Sequence, residues 1–215
     1  MSVFPGSAPV FALVLLLGGL LVAEARQSRT GIWLTKPLAA GAYLWLAIDA
    51  GALHTGYGQA VFAALVLCWW GDVLLIPRDR PGIFRAGVLA FLAGHVAYAA
   101  AFVVRGIDPL FLACALFAMA GPAWLVHRWL AGRVPGSLRG AVRAYITVIS
   151  VMFALAVATH GRAEAWPIVA GAGLFWLSDL CVARDRFVQR GFANRLVGLP
   201  LYFAAQVHLA LSVSG

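Results

Sequence analysis

The chain has 215 residues, 63% of them hydrophobic and only 11% charged, with a net charge of +8. A soluble domain is about half apolar and about one quarter charged, so this composition excludes a soluble enzyme and points to an all-α polytopic membrane protein. Cys68, Cys114 and Cys181 all sit in apolar stretches without a CxxC, which implies no disulfide framework.

A helix needs roughly 20 apolar residues to cross the hydrocarbon core. Taken in chain order, eight stretches meet that need: about 8–24, 33–50, 59–76, 84–104, 108–126, 141–159, 165–183 and 194–213. In the first, Val22-Ala23-Glu24-Ala25 resembles a small-residue cleavage site. No Lys or Arg precedes it, so the stretch is expected to remain as a span. Gly and Pro punctuate the short connections, among them Gly51, Gly56, Pro77, Pro81, Gly132 and Pro135. No connection has room for a soluble domain, and residues 1–215 read as a single transmembrane domain.

The basic residues alternate. Of the 16 Lys and Arg, only Arg105 and Arg162 fall in even-numbered connections; the rest fall in odd ones. Positively charged loops stay in the cytoplasm. The expectation is therefore an integral membrane protein with both termini on the non-cytoplasmic side. The Ala- and Arg-rich composition points to a bacterial inner membrane. The alternation accounts for the basic charge without a nucleic-acid partner.

Two acids interrupt apolar runs. Residues 69–80 read WWGDVLLIPRDR and residues 176–186 read WLSDLCVARDR, placing Asp72 and Asp179 at an offset of 107 residues. The same offset aligns Trp69 with Trp176 and Lys36 with Arg143. It suggests a parallel duplication of four plus four helices, with both acids at similar depth. At 1.5 Å per residue, Asp72 lies about 9 Å inside Arg78, and Asp179 about 7–8 Å inside Arg184. An ionisable group at membrane depth is a functional candidate by default. The alternative is a pair of structural ion bridges to Lys36 and Arg143.

Other polar groups gather on helix faces. His95 and Tyr98 share one face of the fourth span, and Tyr202 and Gln206 share one face of the eighth. Arg80 and Arg186, at the interface, read either as headgroup-zone anchors or as phosphate ligands. Asp49, His54 and His160 fall at span ends and are expected to be solvated; His208 is expected to be structural. The His and acid spacings match no usual metal-ligand pattern, and no metal or other cofactor is called for.

Five segments in order carry a family resemblance: Thr35-Lys36-Pro37, Gly71-Asp72, Phe91-Leu92-Ala93-Gly94-His95-Val96-Ala97-Tyr98, Ser178-Asp179 with Asp185-Arg186-Phe187, and Pro200-Leu201-Tyr202 with Ala205-Gln206. Together they resemble the YhhN/TMEM86 family of eight-helix membrane proteins, over about residues 33–210. The resemblance implies a lysoplasmalogenase, which hydrolyses the vinyl ether of a lysophospholipid within the membrane. The products are a fatty aldehyde and glycerophosphocholine or glycerophosphoethanolamine. It implies site residues Lys36, Asp72, His95, Tyr98, Asp179, Tyr202 and Gln206.

A vinyl ether resists nucleophiles and breaks when its β-carbon is protonated. The site then needs one protonated acid and one base or anion. Burial favours the uncharged carboxyl, and a second carboxylate nearby favours it further. Asp72 and Asp179 are the expected catalytic pair, with Asp179 preferred as the acid. Lys36 either holds the partner ionised or binds phosphate, while His95, Tyr98, Tyr202 and Gln206 orient glycerol and water. The competing reading is a small transporter or lipid-binding protein that uses the acids as a proton or ion relay.

Overall fold

The computed structural model describes residues 7–77, 79–162 and 165–214. Among them are eight α-helices: α1 (Ser7–Ala25), α2 (Arg29–Asp49), α3 (Gly56–Leu74), α4 (Pro81–Arg105), α5 (Pro109–Leu130), α6 (Arg139–Ala158), α7 (Ala165–Phe187) and α8 (Phe192–Leu211). Local chemistry sets many of these boundaries. Side-chain oxygens of Ser28, Thr55 and Asp108 accept from the first free amides of α2, α3 and α5. Pro81 and Pro109 occupy the first positions of α4 and α5, where the missing N–H costs nothing.

The protein is a polytopic integral membrane protein. Seven of these helices are long and apolar enough to span a membrane. The exception is α2, which has the length, at 21 residues, but carries Arg29, Lys36 and Asp49. Helices α5 and α7 each run four residues past the expected ends. Arg184, Asp185 and Arg186 therefore lie in the last turn of α7, whereas Asp79 and Arg80 lie between α3 and α4. Arg78 lies outside the described residues.

Consecutive helices pair: α1 with α2, α3 with α4, α5 with α6 and α7 with α8. Helix α8 also packs on α1 and α2, and α4 on α6, while α5 packs chiefly on α6. Without a hydrophobic drive between helices in lipid, close association depends on small residues that let backbones approach. Gly71 supplies such a contact between α3 and α4, since a Cβ there would fall 2.5 Å from the Phe91 ring. Gly198 does the same in α8, where a Cβ would meet Cys181 Cβ at 2.8 Å.

The odd-numbered connections gather at one end of the bundle. Arg29 pairs with Asp79 at 3.0 Å, Arg195 with Glu24 at 3.1 Å, and the Arg186 guanidinium lies 4.0 Å over the Phe84 ring. The hydrogen-bonded Arg29 guanidinium holds the exposed Asp79 carboxyl below its ordinary range. At the other end the Asp108 amide donates to Ala158 O at 2.7 Å, and Arg105 lies over Tyr57. The charge alternation in the sequence thus becomes a basic end and a sparsely charged end.

Gly71→Val should force Phe91 aside and cost about 1–3 kcal/mol, by overpacking. The measurement is the thermal unfolding midpoint in detergent, with Gly18→Val as the control, because a Cβ at Gly18 meets nothing within 4 Å. Equal midpoints for the two variants would show that the α3/α4 contact does not need a glycine.

Candidate active site

A cavity of about 830 Å³ opens at the basic end and runs inward among α4, α6, α7 and α8. Its outer wall includes Arg85, Ser137 and Arg190; its inner wall includes Asp72, Phe91, Tyr145, Asp179 and Tyr202. Phe91, Ile149 and Tyr202 each lie ten residues into their helices from the basic end. Ten residues rise about 15 Å, roughly half the hydrocarbon thickness. The cavity therefore reaches about the level of the midplane. Its size falls in the range of small-molecule sites, about 300–1,000 Å³.

Asp72 sits in the last turn of α3 and is 2% exposed. Its Oδ1 lies 3.1 Å from Lys36 Nζ of α2. Its Oδ2 accepts from the Tyr202 hydroxyl of α8 at 2.5 Å and from the Tyr43 hydroxyl of α2 at 3.3 Å. Lys36 also donates to the Asp72 carbonyl at 3.2 Å. An ammonium has three donors and no acceptor, so these contacts are those of a paired carboxylate. The Thr35-Lys36-Pro37 turn is fixed from α3, because the Trp69 indole donates to the Pro37 carbonyl at 3.1 Å.

Asp179 lies eight residues before the end of α7, with its side chain 17% exposed on the cavity side. Arg143, the aligned counterpart of Lys36, is exposed. Asp179 faces His95 of α4 instead, with Oδ2 3.6 Å from Nε2, and Tyr145 of α6 stands on the same cavity wall. His95 is fully buried; its Nδ1 donates to the Phe91 carbonyl at 2.7 Å. The ring packs against Phe175 at 4.4 Å and edge-on to Tyr145 at 5.2 Å between centroids. The 107-residue offset relates the partners as well as the acids, because His95 on α4 aligns with Tyr202 on α8.

The expected residues divide into two groups. Lys36, Asp72, Asp179, Tyr202 and Arg186 line the cavity. His95, Tyr98 and Gln206 are buried behind its wall, where Tyr98 donates to Gln206 Oε1 at 2.7 Å. Arg80 is exposed at the N-cap of α4 and does not line the cavity. Asp49, His54 and His160 are exposed, and His208 Nδ1 donates to the Ala204 carbonyl within its own helix.

Sequence reading missed Tyr43, Tyr145 and a network at the mouth. Tyr43 carried a signal, since it stands seven residues, two turns, after Lys36 on the same helix face. Tyr145 carried none. At the mouth, Arg195 bridges buried Glu24 and Asp185 at 3.1 and 3.2 Å, tying α1 to α7 and α8.

The fold and the cavity define an eight-helix integral membrane protein with a lipid-sized site and two carboxyl groups on its inner wall. The chain belongs to the YhhN family, whose model matches residues 31–213. It is 34% identical over 168 residues to "Lysoplasmalogenase TMEM86B" of Sus scrofa, covering 78% of this chain and 68% of that protein. It is 35% identical to "Lysoplasmalogenase TMEM86A" of Bos taurus, covering 71% and 64%, and 33% identical to "Lysoplasmalogenase TMEM86B" of Homo sapiens, covering 81% and 70%. The aligned stretch thus spans about two thirds of these relatives' length. No solved structure is significantly similar to the chain.

Removing one partner from a buried ion pair costs about 3–5 kcal/mol. Lys36→Met should destabilise the protein by that order, and adding Asp72→Asn should return most of the loss. Thermal unfolding of the two single variants and the double variant gives the coupling. Additive losses would show that Lys36 and Asp72 do not depend on each other.

Proposed function

We propose that the protein is a lysoplasmalogenase that hydrolyses the vinyl ether of a membrane-resident lysophospholipid to a fatty aldehyde and a glycerophosphoalcohol. One observation carries the reading: two differently partnered carboxyl groups, Asp72 and Asp179, open on one cavity beneath a basic mouth. The chain's similarity to proteins named lysoplasmalogenase supports the choice of substrate.

The cavity suits a single-tailed lipid. Arg85, Arg186 and Arg190 at the mouth present guanidinium groups to the phosphate. The glycerol lies one step deeper, where Lys36, Tyr202 and the acids face the space. Val126, Leu130, Val142, Ile146 and Ile149 of α5 and α6 give the alkenyl chain an apolar wall. His95, Tyr98 and Gln206 support this wall from behind instead of touching substrate.

In the reaction one carboxyl gives its proton to the β-carbon of the vinyl ether, leaving an oxocarbenium ion. Water adds to the cationic carbon and loses a proton to a carboxylate. The hemiacetal then collapses to aldehyde and free alcohol. Each acid serves a step that water alone performs slowly: proton delivery to carbon, and stabilisation of the cation in a site of low dielectric.

By the positive-inside rule the basic end faces the cytoplasm, so both chain ends lie on the opposite side. The composition fits a bacterial inner membrane.

Purified protein given choline or ethanolamine lysoplasmalogen should release aldehyde, and the alkyl-ether analogue, which lacks the double bond, should not react. Asp72→Asn and Asp179→Asn should each lower the rate at least about a hundredfold, the lower end of a general acid–base contribution, when the rate is taken per folded protein recovered by size exclusion in detergent. Near-normal turnover by either variant would remove that residue from the mechanism. Ile146→Trp narrows the apolar wall, so it should raise KM more for a long alkenyl chain than for a short one. Equal effects on both would place the chain elsewhere.

A further inference from the structure

His95 and Asp179 present a problem in hydrogen accounting. His95 Nε2 and Asp179 Oδ2 face each other at 3.6 Å, both are buried, and neither has a hydrogen-bond partner among the described residues. The Phe91 carbonyl can only accept, so the proton on Nδ1 is fixed by the 2.7 Å contact to it. A neutral His95 then turns a lone pair on Nε2 toward Asp179. If Asp179 were ionised, a lone pair would meet a carboxylate oxygen in a site walled by the Phe175 and Tyr145 rings, and both atoms would pay desolvation without a bond.

One proton resolves this. Placed on His95, it makes a buried imidazolium beside a buried carboxylate; placed on Asp179, it makes a neutral pair. Two buried charges cost more than none unless further bonds satisfy them, and His95 has no further donor or acceptor to use. The surrounding titratable groups do not change this. The phenol of Tyr145 of α6 and the thiols of Cys68 of α3 and Cys181 of α7 stand near Asp179, and Tyr98 stands one turn along α4. Lys36, among the described residues the one cation lining the inner cavity with them, is already bonded to Asp72.

We propose that Asp179 carries the catalytic proton, that its hydroxyl donates to His95 Nε2 in the resting protein, and that His95 is the positioning residue that holds it there. This assignment rests on the vinyl ether reading above and divides the labour of the two acids. Only Asp179 of the couple lines the cavity, so the proton leaves through it to the β-carbon of the substrate. The Asp179 carboxylate left behind takes a proton from the water that adds to the oxocarbenium carbon, which restores the couple. One proton goes to carbon and one returns from water in each turnover. Asp72, held by Lys36, Tyr43 and Tyr202, stays the fixed anion.

Infrared spectroscopy of the detergent-solubilised protein tests the resting state without any turnover. A protonated-carboxyl C=O band should be present at neutral pH, persist in Asp72→Asn and vanish in Asp179→Asn. A band lost in Asp72→Asn and kept in Asp179→Asn, or no band at all, overturns the proposal. The pH profile of kcat tests His95. His95→Asn keeps a group near the Phe91 carbonyl but removes the acceptor at Nε2, so the neutral form of Asp179 loses its bond. The alkaline limb of kcat should move to lower pH by about one unit, the equivalent of one hydrogen bond, with KM unchanged. His95→Gln, whose amide oxygen can accept in place of Nε2, should recover part of the shift. A uniform fall in kcat with the parent's pH profile would mean that His95 is merely structural and would also overturn the proposal. If the parent protein releases no aldehyde, the enzymatic reading fails, and the infrared bands still decide where the proton sits.

Discussion

A carboxyl group inside an apolar helix bundle must find partners there, because hydrocarbon and packed side chains cannot solvate it. Asp72 meets that demand by drawing α2, α3 and α8 to one point through Lys36, Tyr43 and Tyr202. This knot explains why α2 alone among the eight helices fails on apolarity. Its lysine is tolerable only because a helix neighbour supplies the opposite charge. It also fixes the side chains that face the cavity. Tyr202 and Lys36 cannot turn toward solvent without leaving Asp72 uncompensated.

The second acid is handled differently, and the difference underlies the roles proposed for the two. Among the described residues no Lys or Arg pairs with Asp179; it faces a histidine whose tautomer is set by its own helix backbone, with a tyrosine from α6 on the same wall. Two carboxyl groups open on one cavity, one surrounded by donors and one facing an acceptor, and under the proposal above they divide into fixed anion and acid. That is the physical basis for assigning acid and base roles. The packing that makes it possible is local. Gly71 in α3 and Gly198 in α8 let the α3/α4 and α7/α8 pairs close tightly, which brings each acid against a partner from another helix pair.

The two four-helix halves are alike in some contacts and unlike in others. Helix α4 packs on α6 as α8 packs on α2, and the 107-residue offset joins His95 to Tyr202 as it joins Asp179 to Asp72. Lys36 pairs with its acid, whereas Arg143 is exposed and does not. The Arg-Asp-Arg cluster is helical in the second half; in the first, Asp79 and Arg80 lie in a connection. These departures leave an ion pair at Asp72 and a histidine facing Asp179.

The sequence by itself determined the membrane class, the eight helices, the alternation that became a basic end, and the two acids. Each follows from composition or from a one-dimensional spacing: hydrophobic run length, loop charge, and an acid inside an apolar run. The i, i+3 and i, i+4 pairs His95/Tyr98 and Tyr202/Gln206 were also legible as shared faces. What those faces touch was not. Only the tertiary structure decided that Tyr202 reaches Asp72 while Gln206 turns to Tyr98, and that His95 meets Asp179 from behind the cavity wall. It alone brought in Tyr145 and joined Glu24 to Arg195 across 171 positions. The reason is that helix periodicity fixes which residues share a face, whereas the rotation and crossing of packed helices fix which faces meet, and that depends on contacts distant in the chain.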